Sequence, residues 1–137
     1  MTRYVIIDTG PLVAFLCLAD LRHQWVTTQL DAVNPPVLTC EAVISETCFL
    51  LRRHHADATA VLALLQQHLL SVPFRIENES ESILTLMQKY ADLPMSFADA
   101  CLVRMSECYP ESAILTFDHD FQTYRRFHRQ SIPLLFP

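Results

Sequence analysis

The sequence predicts an α/β fold, a three-layer sandwich with a mainly parallel central sheet flanked by helices. Short apolar runs such as Tyr4-Val5-Ile6-Ile7, typical of a buried parallel strand, alternate along the chain with longer segments whose apolar residues recur at helical spacing. A chain of 137 residues is one ordinary domain and is too short for two separate cores. We therefore expect residues 1–137 to form a single domain.

The same patterns place the individual elements. Strands are predicted over residues 4–7, 37–39, 74–76 (at a sheet edge), 113–116 and 132–136. Helices are predicted over residues 12–18, 24–32, 41–53, 57–70 and 79–90, and from residue 96 onwards. Pro11 suits the first turn of a helix, where its missing N–H is harmless. Ser96 and Asp99 have the spacing of a capping box, which predicts that a helix begins there.

Composition and charge exclude several classes of protein. Hydrophobic residues make up 51% of the chain and charged residues 18%, which excludes a disordered protein. Gly10 is the only glycine, which argues against a glycine-rich phosphate loop. The formal net charge is −5, opposite in sign to that of a typical small nucleic-acid-binding protein. If this chain handles nucleic acid, something other than bulk charge must attract it.

The cysteines and the N-terminus predict a cytoplasmic protein. The five cysteines are an odd number without a Cys-x-x-Cys pair, so buried thiols are favoured over disulfides or a zinc site. No apolar stretch is long enough to span a bilayer. Asp8 interrupts the first apolar run, which therefore does not resemble a signal peptide.

Acidic side chains stand where a ligand site is expected in such a fold. Ligands of α/β proteins gather beyond the carboxyl ends of the strands, and Asp8, Asp118 and Asp120 lie just past two predicted strands. Glu46 lies in the middle of a predicted helix, and Asp99 lies in the first turn of another. Each acid has a structural alternative, as a helix cap, a partner of the helix dipole or a solvated position.

A cluster of these carboxylates would need a cation, because crowded carboxylates repel one another and have raised pKa values. Hard oxygen ligands without a matching set of histidines or cysteines select Mg²⁺ or Mn²⁺. Such a cation lowers the pKa of a bound water and neutralises charge on a phosphodiester. It would also reverse the sign of the local field, which explains how a protein of negative net charge could act on nucleic acid.

Four motifs in order resemble the PIN domain, most closely the VapC-type toxins of bacterial toxin–antitoxin pairs. They are residues 5–12 (VIIDTGPL), the helix containing residues 44–46 (ISE), residues 97–100 (FADA) and residues 115–121 (LTFDHDF). The segment over residues 89–100 is particularly similar to the family, and the resemblance extends over roughly residues 3–135. It implies a PIN-like fold for the whole chain.

The resemblance also implies a site and an activity. The metal-binding and catalytic acids would be Asp8, Glu46, Asp99 and Asp118. Supporting polar side chains would be Thr9, Thr116 and, in an outer position, Asp120. The implied activity is Mg²⁺- or Mn²⁺-dependent endoribonuclease cleavage of RNA by the toxin of a toxin–antitoxin pair, with a small antitoxin as partner and a homodimer as the assembly. Many relatives carry an acid where this chain has Ser96, so one outer contact is missing.

Candidate contacts to RNA phosphates come from the two basic runs of the chain. They are Arg52 and Arg53, at the end of the Glu46 helix, and Arg125, Arg126 and Arg129. The structural alternative is solvated positive charge that balances an acidic chain. Trp25 is assigned to core or interface packing rather than to base stacking.

Two other functions remain open from the residues alone. The acidic net charge and Ser96 are compatible with a catalytically inactive PIN-like module that binds RNA or a protein. The third hypothesis for the function is a metal-dependent phosphohydrolase that acts on small substrates.

Overall fold

A five-stranded parallel sheet forms the centre of the structure, a computed structural model that describes residues 2–93 and 95–137. The strands are β1 (Tyr4–Ile7), β2 (Val37–Leu38), β3 (Leu70–Ser71), β4 (Ser112–Leu115), β5 (Arg125–Arg126), β6 (Gln130–Ser131) and β7 (Leu134–Leu135). The helices are α1 (Thr9–Leu16), α2 (His23–Asp31), α3 (Glu41–Arg53), α4 (Ala60–Gln66), α5 (Ile76–Lys89) and α6 (Phe97–Cys108). The central sheet has the order β3-β2-β1-β4-β7, while β5 and β6 form a separate antiparallel hairpin. The predicted α/β class with a mainly parallel sheet is confirmed.

The position of β1 at the centre of the sheet follows from its composition. Val5, Ile6 and Ile7 are at most 1% exposed, because helices cover both faces of the sheet. Ile6 is in register with Leu38 of β2 and Ile114 of β4, and all the pairings in this sheet are parallel. The carboxyl ends of the strands therefore meet at one edge of the sheet.

Two helices begin beside that edge because polar side chains cap them. The Asp8 carboxylate accepts the backbone N–H of Thr9 at the start of α1. The Ser96 hydroxyl oxygen accepts the backbone N–H of Asp99 at 3.0 Å, as the spacing of these two residues predicts. Both caps place an acid at the start of a helix, since Asp8 is the N-cap of α1 and Asp99 lies in the first turn of α6.

The predicted edge strand over residues 74–76 is wrong. The edge strand is β3, where Leu70 is buried and pairs with Val37, and Ile76 already begins α5. The predicted helix over 57–70 is accordingly shortened to α4. His68 adopts φ of 59°, and the Leu69 N–H donates to the Leu64 carbonyl at 3.0 Å, so the chain leaves the helix through a left-handed residue. Without a glycine at this point, apolar periodicity does not show the end of the helix.

The β5–β6 hairpin was not predicted from the sequence. Its turn contains Phe127 and His128 with φ of 49° and 69°, in the left-handed region that asparagine or glycine favours. Neither residue carries a recognisable turn signal. Among the described residues no helix is both long enough and apolar enough to cross a membrane.

Candidate active site

One open cavity of about 510 Å³ lies at the carboxyl ends of β1 and β4, between α3 and α6. Its lining consists of Asp8, Thr9, Gly10, Glu46, Leu50, Ser96, Asp99, Phe117, Asp118 and Asp120. The structure therefore brings together the five acids that sequence reasoning selected, from four separate segments of the chain. Within residues 2–93 and 95–137, no lysine, arginine or histidine lines this cavity.

Asp8 is the most firmly held of the five acids. One carboxylate oxygen, Oδ1, accepts the Thr9 N–H at 2.7 Å, and Oδ2 accepts the Thr116 hydroxyl at 2.7 Å. Thr116 is fully buried at the end of β4, so it links the adjacent carboxyl ends of the two central strands. These bonds fix the orientation of the Asp8 carboxylate.

The Thr116 hydroxyl also orders the segment that follows β4. Its oxygen accepts the backbone N–H of Asp118 at 3.0 Å, while Asp118 Oδ1 accepts the backbone N–H of Asp120 at 2.9 Å. A single 3₁₀ turn over His119–Gln122 begins there. Thr116 thus positions Asp8 directly and Asp118 through the backbone.

Asp99 is held by a residue that the sequence analysis missed. Its Oδ2 accepts the hydroxyl of Tyr124 at 2.9 Å, and Tyr124 is fully buried against the rings of Tyr90 and Phe121. A buried tyrosine hydroxyl needs a hydrogen-bond partner, and here the partner is a site acid. No motif or spacing signals this contact, because Tyr124 and Asp99 are 25 positions apart.

Glu46 is the most loosely held of the four principal acids. Its side chain is exposed on α3, and Oε2 accepts the hydroxyl of buried Thr9 at 3.2 Å. Thr9 therefore joins α1 to α3 at the cavity wall. Asp120, at the edge of the cavity, is exposed.

The electrostatics of the cavity are those of uncompensated negative charge. Burial raises the pKa of Asp8 to about 6, against the hydrogen bonds from Thr116 and Thr9, and the charges of Asp99 and Asp118 raise it further. Burial also raises the pKa of Asp99, against the hydrogen bond from Tyr124, and Asp118 adds to the rise. Asp8, Asp99 and Asp118 therefore lie within electrostatic reach of one another.

The donor set fits a hard divalent cation by its chemistry. It consists of carboxylate and hydroxyl oxygens, which Mg²⁺ and Mn²⁺ prefer, and a cation would stabilise the charged form of Asp8, whose pKa is raised by burial and by the charges of Asp99 and Asp118. In the part of the chain that the structure describes, no three His, Cys, Asp or Glu side chains are arranged closely enough to hold a metal ion as they stand. The carboxylates line the cavity without converging on one point.

A second feature missed from the sequence is an arginine that lies over an aromatic ring of the cavity lining. Phe117 lines the cavity, and the guanidinium carbon of Arg22 lies 4.4 Å from the centre of its ring. A Cβ atom at Gly10 would lie 3.1 Å from Phe117 Cδ2, so the only glycine of the chain gives this ring its space. Trp25 packs against the core, as expected, but its ring also lies 6.0 Å from that of Phe117.

Two of the predicted RNA contacts are engaged in the fold instead. Arg126 is only 4% exposed, and its Nη1 donates to the carbonyls of Ser106 at 2.9 Å and Pro110 at 3.1 Å. The expectation that it contacts RNA is corrected, because a buried guanidinium bonded to carbonyls cannot reach a phosphate. Arg125 Nη1 donates to three carbonyls of the preceding segment. Arg52, Arg53 and Arg129 are exposed.

Comparison with known proteins agrees with this fold. Residues 5–126 match the PIN domain family. Ribonuclease VapC26 of Mycobacterium tuberculosis is 28% identical over 118 residues, which cover 83% of this chain and 86% of that protein.

Two solved structures share the fold. VapC20 of Mycobacterium tuberculosis, a toxin that cleaves the sarcin–ricin loop, superposes with a TM-score of 0.74 at 23% identity, covering 92% of this chain and 98% of that one. A toxin–antitoxin complex from Klebsiella pneumoniae contains a chain that superposes with a TM-score of 0.65 at 17% identity, covering 85% and 89%. The family match extends from β1 to β5, through every segment that contributes an acid to the cavity. This chain belongs to the PIN domain family.

Proposed function

We propose that this protein is a Mg²⁺- or Mn²⁺-dependent endoribonuclease and the toxin of a toxin–antitoxin pair. The observation that carries the proposal is the single cavity in which Asp8, Glu46, Asp99 and Asp118 meet from four segments of the chain. Similarity to Ribonuclease VapC26 supports RNA as the substrate. The shared fold of VapC20 supports the same reaction class.

The four principal acids would hold the ion, and Thr9, Thr116 and Tyr124 would fix their orientation. When bound, a divalent cation supplies charge neutralisation at the phosphodiester and a water of lowered pKa. Asp8 presents a carboxylate whose rotation is blocked by two short hydrogen bonds. Asp120 lies at the cavity edge, from which it can orient water from an outer position. Preorganised groups of this kind lower the cost of reorganisation during the reaction.

The partners and the location follow the same proposal. The fold match to a toxin–antitoxin complex supports a small antitoxin as partner. Leu18 and Leu21, between α1 and α2, are 84% and 101% exposed and offer apolar surface for an antitoxin or for the second subunit of a homodimer. All five cysteines are free thiols, which suits a reducing cytoplasm.

The test is cleavage of a single-stranded RNA by the purified protein. We expect cutting with Mg²⁺ or Mn²⁺ and none with a chelator, and we expect Asp8→Asn and Asp99→Asn to abolish it. Glu81→Gln is the matched control, because Glu81 is an exposed acid on α5 outside the cavity. Cleavage that needs no metal and survives both substitutions would refute the proposal.

A second candidate function is binding of RNA or a protein without catalysis. One observation favours it: among the residues described, no three acids are close enough to hold an ion as they stand. Titration calorimetry separates the two functions. Heat from Mn²⁺ binding that disappears in Asp8→Asn supports the nuclease, and no binding of Mn²⁺ by the wild-type chain supports the inactive module.

A further inference from the structure

A groove lined by two exposed phenylalanines continues from the acid cavity. Phe49 on α3 is 54% exposed and Phe97 on α6 is 45% exposed. Both line a groove that shares Glu46 and Ser96 with the cavity, so the groove and the cavity are continuous. Two exposed aromatic rings in one groove offer faces on which a ligand can stack.

Phe117, which lines the cavity but not the groove, carries the Arg22 guanidinium over its ring. Arg22 is exposed, and its guanidinium makes no hydrogen bond or ion pair with the described part of the chain. The loop that carries it is ordered, since Asp20 Oδ1 accepts the Arg22 N–H at 2.8 Å. The cation is therefore held in place by an aromatic ring while its N–H donors remain available.

The ring of Phe117 is fixed relative to the acids. It lies between Thr116, which binds Asp8, and Asp118 in the chain, and Gly10 packs directly against it. Arg22 therefore lies over a ring that itself lines the acid cavity. In the phenylalanine groove, the guanidinium carbon of Arg53 lies 5.8 Å from the ring centre of Phe49. A cation is therefore present beside this groove as well.

Aromatic rings combined with cations are the usual binding surface for single-stranded nucleic acid. Bases of any sequence stack on exposed rings, and arginines bind the phosphates between them. Here the acid cavity repels phosphate in the absence of a metal, so attraction must come from its two flanks. The structure provides a cation–aromatic pair on each flank.

We propose that a single RNA strand crosses the acid cavity, with bases stacked on Phe49 and Phe97 on one side and a phosphate bound by Arg22 on the other. This inference rests on the proposed function, because it takes RNA as the substrate, and it adds the path of the strand. A second copy of the chain is the other conceivable occupant of the phenylalanine groove. RNA is favoured because the groove opens directly into the acid cavity and each flank carries an exposed arginine.

The test measures binding of a fluorescein-labelled single-stranded RNA by anisotropy, in an Asp99→Asn background that leaves the strand uncut. Phe49→Leu and Phe97→Leu should each weaken binding about three- to tenfold, because leucine keeps apolar bulk but loses base stacking. Phe127→Leu is the matched control: Phe127 is also 45% exposed and has an arginine, Arg126, over its ring, but it lies on the β5–β6 hairpin. It should leave binding unchanged.

Arg22→Ala should weaken binding about tenfold and lower the slope of log affinity against log salt concentration by about 0.7, the value for one phosphate contact on a single strand. Phe49→Leu and Phe97→Leu should leave this salt dependence unchanged, because neither substitution removes a charge. Arg3→Ala is the matched control, since Arg3 is exposed and lies over Tyr4 at 5.4 Å, at the opposite end of β1. Trp25, the only tryptophan, reports RNA arrival near Phe117 through its fluorescence.

The outcomes separate this inference from the nuclease proposal. If wild-type protein cleaves RNA while all three variants bind like their controls, the strand path is wrong and the nuclease stands. If the variants weaken binding but wild-type protein never cleaves, the path stands and the nuclease falls. Failure of the Asp99→Asn protein to bind RNA overturns the path. So does dissociation of a dimer by Phe49→Leu and Phe97→Leu, seen by sedimentation, without any loss of RNA binding.

Discussion

Two charged regions of this molecule differ in whether their acidic side chains have cationic partners. On α5 and α6, Arg104 Nε lies 2.6 Å from Glu79 Oε2 and its Nη1 lies 3.1 Å from Glu107 Oε1. The other oxygen of Glu107 accepts the backbone N–H of Phe127 at the hairpin. In this cluster each acid has a cationic partner, and its effect is to hold α5, α6 and the β5–β6 hairpin together.

The acid cavity has no such partner. Asp8 and Asp99 accept hydrogen bonds only from hydroxyls and backbone amides, and burial raises the pKa of both carboxyl groups. Paired charge stabilises a fold, whereas clustered unpaired charge costs stability and is retained where a ligand will neutralise it. The comparison therefore assigns the first region to structure and the second to function.

The largest expected effect is on activity in the cavity. Asp8→Asn and Asp99→Asn should each lower the rate of RNA cleavage at least about 1000-fold, because in the proposed function each removes a charge that holds the metal. Glu79→Gln should leave the rate within about twofold. Initial rates at saturating Mn²⁺ check this, and an inactive Glu79→Gln protein with an intact fold would break the comparison.

The next largest effect is expected on the free energy of unfolding. Loss of an acid should raise this free energy in the acid cavity and lower it in the paired region. The Asp8 pKa of about 6 lies above the ordinary value of 3.8, so the folded state binds this proton more tightly than the unfolded state. The contribution of Asp8 to the stability of the metal-free protein should therefore fall as pH rises from about 4 to 6, by as much as about 3 kcal/mol. Asp8→Asn should flatten this dependence and raise the Tm of the metal-free protein at pH 7.

Thermal unfolding in a chelator at pH 4, 5, 6 and 7 measures this dependence. Addition of Mn²⁺ should raise the Tm of the wild-type protein at pH 7 and leave that of Asp8→Asn nearly unchanged. A Tm difference between Asp8→Asn and the wild-type protein in chelator that does not grow from pH 4 to pH 7 would contradict the assignment of unpaired charge to Asp8.

A smaller effect is expected at Tyr124. Tyr124→Phe removes the hydroxyl that orients Asp99 and keeps the buried ring. Loss of such an outer contact typically lowers metal affinity or activity by about tenfold or more. Measuring both the Mn²⁺ affinity by calorimetry and the Tm distinguishes a role in positioning Asp99 from a role in packing. The control is Tyr90→Phe, which loses the hydrogen bond from the Arg125 N–H. It should lower the Tm without changing the Mn²⁺ affinity. Equal Mn²⁺ affinities in the two variants would contradict the role given to Tyr124.

The smallest effect is expected in the paired region. Glu79→Gln should lower the free energy of unfolding by about 1 kcal/mol, since the Arg104–Glu79 pair is partly exposed and screened by solvent. Urea unfolding measures this change. Glu81→Gln, on the same helix without an ion pair among the described residues, is the control and should be neutral.

The alternation of strands and helices, and the placement of acids at strand ends and helix starts, could be predicted from the sequence. These features depend on residue type and on the periodicity of apolar residues, both of which can be read from a short stretch of sequence. The cap at Ser96 belongs here, because capping depends on residues three positions apart. The residues alone named Glu46 as a candidate acid, and the resemblance added its role as a metal-binding acid.

Tertiary structure decided what depends on contacts between distant residues. The pairing of Tyr124 with Asp99, the burial of Arg126 against the carbonyl of Ser106 and the support of Arg22 by Phe117 each join segments far apart in the chain. The short edge strand β3 also forms because Val37 pairs with Leu70, a partner that periodicity cannot identify. An arginine has the same chemistry everywhere in a sequence, and only its environment in the fold decides whether its donors are used by carbonyls or remain available for a phosphate.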